Sequence, residues 1–180
     1  FPGRSLKREP LKISITQHVE NLLSRDIIQP RDYRLLRMLL KSNVLSRDQI
    51  WRLYWPGNTK RAVNERLKKL WCHWILDYRT DIESMMSAGM RPCRLYYLNS
   101  VSKEVLRYLP DVSEADLSQA RRYTGTAVRL LPHDMMISEF QVQLYLAGQA
   151  LDMPLSWANE REAIVYEQTP THLNDGPAEL

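Results

Sequence analysis

Hydrophobic and polar positions follow two rhythms along this chain, and the rhythm changes near residue 74. Before that point the steps are helical. In "RDYRLLRMLLKSN", Leu35, Leu36, Leu39 and Leu40 mark one face, with Arg34, Arg37 and Lys41 on another. That spacing predicts a helix over about 31–42, entered through Pro30 and stopped at Asn43. Ahead of it, "ISITQHVENLLSRDI" predicts a shorter amphipathic helix from about Thr16 to Ser24, capped at Thr16. Ser46 followed by Gln49 has the spacing of a capping box, in which hydroxyl and amide each satisfy an orphan backbone group. The helix it opens turns Ile50, Leu53 and Tyr54 inward. Pro56-Gly57 ends that helix, and Asn58-Thr59 caps the next, over about 60–74. In this third helix Val63, Leu67, Leu70, Trp71 and Trp74 form one apolar stripe. At about 100° per residue, Arg61, Asn64, Glu65 and Lys68 project from the other side, with Lys60 at the start and Lys69 on the flank.

Past this helix the alternation becomes that of strands. "WILDYRTD" (about 74–80) and "PCRLYYLNS" (about 92–99) predict a two-stranded ribbon joined by "IESMMSAGMR". Three helices followed by a ribbon is the order of a winged helix-turn-helix. Further on, "SVSKEVLRYLP" predicts a short helix closed by Pro110, and Ser113 with Asp116 opens "EADLSQARRY", broken at Gly125. A long helix follows over about 133–151, with Met136, Phe140, Leu144 and Ala147 or Gly148 on one face. The expected fold is mainly α with a small β-wing: a winged helix-turn-helix followed by a helical segment. Its parts are an N-terminal arm and short helix (1–28), the winged domain (29–100), a helical segment suited to dimerisation (101–151), and a tail (152–180) with one candidate strand near 163–167.

Charge sharpens this picture. The net charge of +4 over 180 residues is unevenly spread. Residues 31–80 hold 12 Lys and Arg against 4 Asp and Glu, a balance of +8, whereas residues 151–180 hold 1 Arg against 6 acids. The excess of cations falls on the two-helix motif, as a segment that meets a polyanion would require. Cys72 and Cys93, outside any C-x-x-C spacing, fit a reducing cytoplasm rather than a disulfide framework or a zinc site. No apolar run approaches the roughly 18 residues of a membrane span, and no signal-peptide pattern opens the chain. A glycine-rich phosphate loop, H-E-x-x-H and G-x-S-x-G are all missing from the sequence. The one close His/Asp pair, His133-Asp134, opens a helix, where an acid serves as a cap or dipole partner. No catalytic residue, metal or cofactor is therefore expected.

A helix fits the major groove of B-form DNA, and a helix-turn-helix offers the start of its second helix to base edges. Arg61 and Lys68 have the donors for guanine, Asn64 can pair bidentately with adenine, and Glu65 can accept from cytosine. Ser46, Arg47, Thr59 and Lys60 stand near helix N-termini, where backbone amides favour phosphate, and Lys69 adds charge beside them. Arg79, Arg91 and Arg94, near the ribbon, would reach the flanking backbone or a minor groove. Trp51, Trp55, Trp71 and Trp74 read as core and hinge packing, and His73 as a half-exposed polar residue. The expected partner is double-stranded DNA, bound by a homodimer on a roughly palindromic site. The alternative is an adaptor whose winged domain docks onto another protein of a replication or transfer assembly.

Three stretches, "QPRDYRLLRMLLKSNVLSRDQIWRLYWPGNTKRAVNERLKKLWCHWIL", "CRLYYLNSVSKEVL" and "HDMMISEF", together resemble the replication-relaxation family of plasmids, phages and integrative elements. The shared features are Arg31-Asp32 opening a helix, the winged motif, Tyr96 or Tyr97 with Leu98 in the second wing strand, and His133 at the start of a helix. The resemblance spans roughly 29–165. It implies a DNA-binding protein of a mobile element, acting in replication, transfer or transcriptional control. It also implies a continuation into a sheet through a Pro-Asp-Gly-like turn, for which "LNDGPAEL" offers Asn174 in place of the proline and Asp175 as the acid. The later carboxylates and lysine of a nuclease-like site are not among these residues, so cleavage is not expected.

Overall fold

The computed structural model describes residues 8–80, 85–86, 89, 91–120 and 130–153. Seven helices and three short strands occur among them: α1 (Ile15–Ser24), α2 (Pro30–Ser42), β1 (Leu45–Ser46), α3 (Arg47–Tyr54), α4 (Lys60–Cys72), β2 (Asp77–Arg79), β3 (Leu95–Tyr97), α5 (Ser100–Arg107), α6 (Glu114–Gln119) and α7 (Leu131–Ala150). The strands form an antiparallel sheet in the order β1-β3-β2, with Leu45 opposite Tyr96 and Tyr78 opposite Tyr96 on the other side. The fold is mainly α with a small β-wing. The run α2-β1-α3-α4-β2-β3 is a winged helix-turn-helix.

Local chemistry sets most boundaries. Pro30 sits in the first turn of α2, where its missing N–H costs nothing. Asn43 closes α2 with φ of 63° and ψ of −45°, the centre of a γ-turn in which Val44 N donates to Ser42 O (2.8 Å). Ser46 accepts from Gln49 N while Gln49 Oε1 accepts from Ser46 N, the expected capping box. Gly57, at φ of 81°, makes the turn into α4, and Thr59 Oγ1 accepts from Ala62 N. Asn99 and Ser113 cap α5 and α6 in the same manner.

Several boundaries differ from the sequence expectation, and α6 is one: it ends at Gln119, where Ala120 turns extended, short of the run through Tyr123 that the sequence suggested. Helix α1 begins at Ile15, because Ser14 rather than Thr16 supplies the cap to Gln17 N. The strand β1 was not expected; two residues ahead of α3 pair with β3 and make the ribbon three-stranded. Both wing strands are shorter than the alternation suggested. Helix α4 stops at Cys72, so Trp74 leaves the stripe. Its backbone turns left-handed (φ 62°), Trp74 N donates to Trp71 O, and Ile75 N to Leu70 O. That pair of bonds is a Schellman ending with tryptophan where glycine is usual. The expected 163–167 strand, the acidic tail beyond Met153, Asn174 and Asp175, Gly125 and most of the segment joining the wing strands lie outside the described residues.

One continuous apolar core runs from Val19 and Leu22 of α1, through Leu35, Leu36 and Leu39 of α2 and Val63, Leu67 and Leu70 of α4, to Val105 of α5 and Val142 of α7. Helix α7 lies against α2, α3 and β1, so α3 stands between it and α4. Its contact with α3 is polar: Glu139 accepts from Gln49 Nε2 (3.0 Å) and pairs with Arg52. Among the described residues, no helix is long and apolar enough to cross a membrane.

Candidate nucleic-acid interface

The two faces of α4 divide as its periodicity predicts. Val63, Leu67 and Leu70 are buried, while Arg61, Asn64, Glu65, Lys68, Lys69 and Cys72 are exposed. Arg61, Asn64, Glu65, Lys68 and Cys72 follow one another at helical spacing and so share one outward face. Arg61, Lys68 and Lys69 have no ion pair among the described residues. That sets them apart from most other cations nearby, which are committed. Arg37 binds Asp111, Arg52 binds Glu139, Arg8 binds Asp77, and Arg66 is held by Asp32.

Arg66 shows how α4 is oriented. It lies in the same helix as Arg61 and Lys68 but points inward. Its Nε donates to Asp32 Oδ1 (3.0 Å), and its Nη2 to Asp32 Oδ2 and to the Ile27 carbonyl (2.9 Å). Asp32, 0% exposed, also accepts from Gln29 N at the start of α2 (2.7 Å). A buried carboxylate with these donors fixes the rotation of α4 about its own axis, and so decides which residues face out. Sequence reading passed over this pair because 34 positions separate its members and neither carries a local signal.

The turn ahead of α4 is braced by indoles. Trp55 is buried, Trp51 Nε1 donates to Asn58 O (2.7 Å), Lys60 lies 5.2 Å from the centre of the Trp51 ring, and Arg31 lies 4.8 Å from that of Trp55. Lys60 also reaches Asp48 (3.4 Å), which is shared with Arg47. Burial opposes ionisation of Asp48, but the hydrogen bonds from Arg47 and Lys60 outweigh it and hold its carboxyl below the usual range.

At the far end, Trp71 packs on Tyr78 (5.8 Å between centroids) and Tyr78 on Tyr96 (5.9 Å), seating α4 on the sheet. Arg94 covers Tyr78 (4.8 Å) and is exposed, as is Arg91. His73 caps α4 half-exposed, as expected. Its carbonyl accepts from His18 Nε2 (2.9 Å), and burial, followed by the charges of Lys69, His18 and Arg66, lowers its proton affinity.

The twelve residues proposed from sequence thus separate into groups. Arg61, Asn64, Glu65 and Lys68 come together on one face, with Lys69 beside them and Thr59 and Lys60 at the helix start. Arg91 and Arg94 are exposed at the root of β3. Arg79 and Arg47 are half-buried. Ser46 does not join them. It is 7% exposed, its amide donates to Gln49 Oε1 and its hydroxyl accepts from Gln49 N, so its burial in the capping box keeps it off the open face. Among the described residues, no three His, Cys, Asp or Glu gather as a metal would require.

The family model described as replication-relaxation matches residues 36–173. Comparison with curated proteins and with solved structures gave no match.

Proposed function

The chain belongs to the replication-relaxation family, and from that premise we propose that it is a sequence-specific double-stranded DNA-binding protein serving replication, transfer or transcriptional control of a mobile element. One observation carries the reading: the outward face of α4 holds Arg61, Asn64 and Lys68, exposed, while its other face is buried in the core. Placed in a major groove, Arg61 and Lys68 donate to guanine, Asn64 pairs with adenine and Glu65 accepts from cytosine. Thr59 and Lys60 meet a phosphate at the helix start, and Lys69, Arg91 and Arg94 track the flanking backbone. The protein acts by occupancy, blocking or recruiting machinery at an origin or operator.

A salt titration with random duplex tests this reading. Six cations (Lys60, Arg61, Lys68, Lys69, Arg91 and Arg94) give a log–log slope of about −5.4, a loss of roughly 2,000-fold between 50 and 200 mM salt. A weak and flat response would favour a protein-docking adaptor.

The binding form is a homodimer joined through α7. Met136 (58% exposed), Phe140 (57%), Gln143, Ala147 and Ala150 are exposed along it at steps of three and four, the spacing of a two-helix seam. The inward face is mixed, with Asp134, Ser138 and Gln141 buried beside Leu131 and Val142, and Gly148 lies on that side rather than with Met136. The outward seam has no charged residue, so a second copy meets it without burying a charge, and α3 keeps it apart from α4. Sedimentation of the wild type against Met136→Glu and Ala147→Glu tests this. A dimer lost in both variants supports the pairing, and a wild-type monomer at tens of micromolar removes it.

A further inference from the structure

The segment ahead of α1 crosses the C-terminal end of α4, and Arg8 does more there than cover a surface. Its side chain is only 13% exposed. Nη1 donates to the carbonyls of Trp71 (3.3 Å) and Leu76 (3.2 Å), and Nη2 reaches Asp77 Oδ1 at 2.6 Å. The guanidinium carbon lies 3.6 Å from the centre of the Trp74 ring and 5.4 Å from that of Trp71. Trp74 answers with Nε1 donating to the Glu9 carbonyl (3.1 Å). Trp71 lies in the last turn of α4, while Leu76 precedes β2 and Asp77 opens it. One guanidinium therefore bonds to both sides of the junction and stacks on Trp74, whose left-handed backbone angle tryptophan rarely adopts.

We infer that Arg8 is a positioning residue for duplex binding: it fixes the angle between α4 and the wing, so that both meet the DNA together. This rests on the DNA-binding reading above. Arg8 itself points into the protein and touches no phosphate. Its planar fork matters as well as its charge, because two carbonyls, a carboxylate and an indole face are engaged at once; an ammonium lacks that geometry.

The test uses the full chain with spin labels on Cys72, at the exposed end of α4, and on Thr80→Cys, just past β2, in a Cys93→Ser background. The distance distribution is narrow with Arg8 and at least twofold broader in both Arg8→Ala and Arg8→Lys. Duplex affinity falls about tenfold in each, while the salt slope changes by less than the one unit that a lost phosphate contact would remove. Arg8→Lys keeps the charge and supplies a second reading should Arg8→Ala fail to fold. A distribution that stays narrow in both variants overturns the clamp, and broadening without loss of affinity overturns the positioning role. A wild type that binds no duplex, with Arg8→Ala still broadened, overturns the DNA reading instead.

Discussion

Arg61 and Arg66 lie five positions apart on α4, and the fold predicts opposite consequences for losing them. Arg66→Ala leaves the fully buried Asp32 with the Gln29 amide as its remaining donor, where the guanidinium had given two bonds to Asp32 and one to Ile27 O. Breaking a buried pair by removing one partner costs about 3–5 kcal/mol, because the remaining charge is left uncompensated. At about 2–4 °C per kcal/mol for a chain of this size, the melting temperature should drop by roughly 6–20 °C. That is a large share of a total stability of about 5–15 kcal/mol. Arg61→Ala, on the open face, should change stability by no more than about 0.5 kcal/mol. Denaturant unfolding of both variants measures the difference. The double variant Arg66→Met with Asp32→Asn should cost less than the sum of its single changes, since no lone charge remains. If Arg66→Ala unfolds like Arg61→Ala, Arg66 is not held inward, and the rotation assigned to α4 is wrong.

Other expectations follow from the same geometry. Arg61→Ala and Lys68→Ala should each weaken binding to a cognate site by about 1–3 kcal/mol in competition assays, with unfolding unchanged. Ser46→Ala removes the cap of α3 and should cost about 0.5–2 kcal/mol in thermal unfolding without lowering the salt slope of DNA binding. Burial opposes ionisation of Glu139, but the hydrogen bonds from Arg52, Gln143 and Gln49 hold its carboxyl below the ordinary 4.5. Protons therefore bind it more readily in the unfolded chain, so its contribution is full above pH 4.5 and is lost as pH falls through the lower folded value. Glu139→Gln should flatten that acid limb in unfolding midpoints taken across it. Gln141 is buried on the inner face of α7, and neither of its amide atoms has a hydrogen-bond partner among the described residues. Gln141→Leu should then raise stability by about 1–3 kcal/mol, and a loss of that size would mean the amide has a partner.

What sequence could reveal here was local. Pro30, the Ser46–Gln49 box, Gly57 and Thr59 act within four residues of themselves, so the helix starts and the turn of the motif were legible. The division of α4 into buried and open faces was also legible, because Val63, Leu67 and Leu70 repeat at the helical period. Trp74 misled for the same reason: it continues the period, yet a Schellman ending turns it out of the helix. The contacts that aim the interface were hidden. Arg66 reaches Asp32 across 34 positions and Arg8 reaches Leu76 across 68, and nothing near either arginine marks it as inward. Among many cations, sequence cannot distinguish those neutralised within the fold from those left for a partner. Helix α7 was legible as a helix, but the polar residues on its buried side answer what Ser42, Gln49 and Arg52 present to it.

Cys72 gives the most direct test of whether the outward face of α4 lies against DNA, since it is exposed on that face one turn beyond Lys68. A chelated iron tethered there, in a Cys93→Ser chain bound to an end-labelled duplex that carries a cognate site, should cut both strands within a few base pairs of one position in each half-site, in a pattern set by the major groove. Cuts scattered evenly along the bound duplex, or a protected duplex left uncut, would contradict the account.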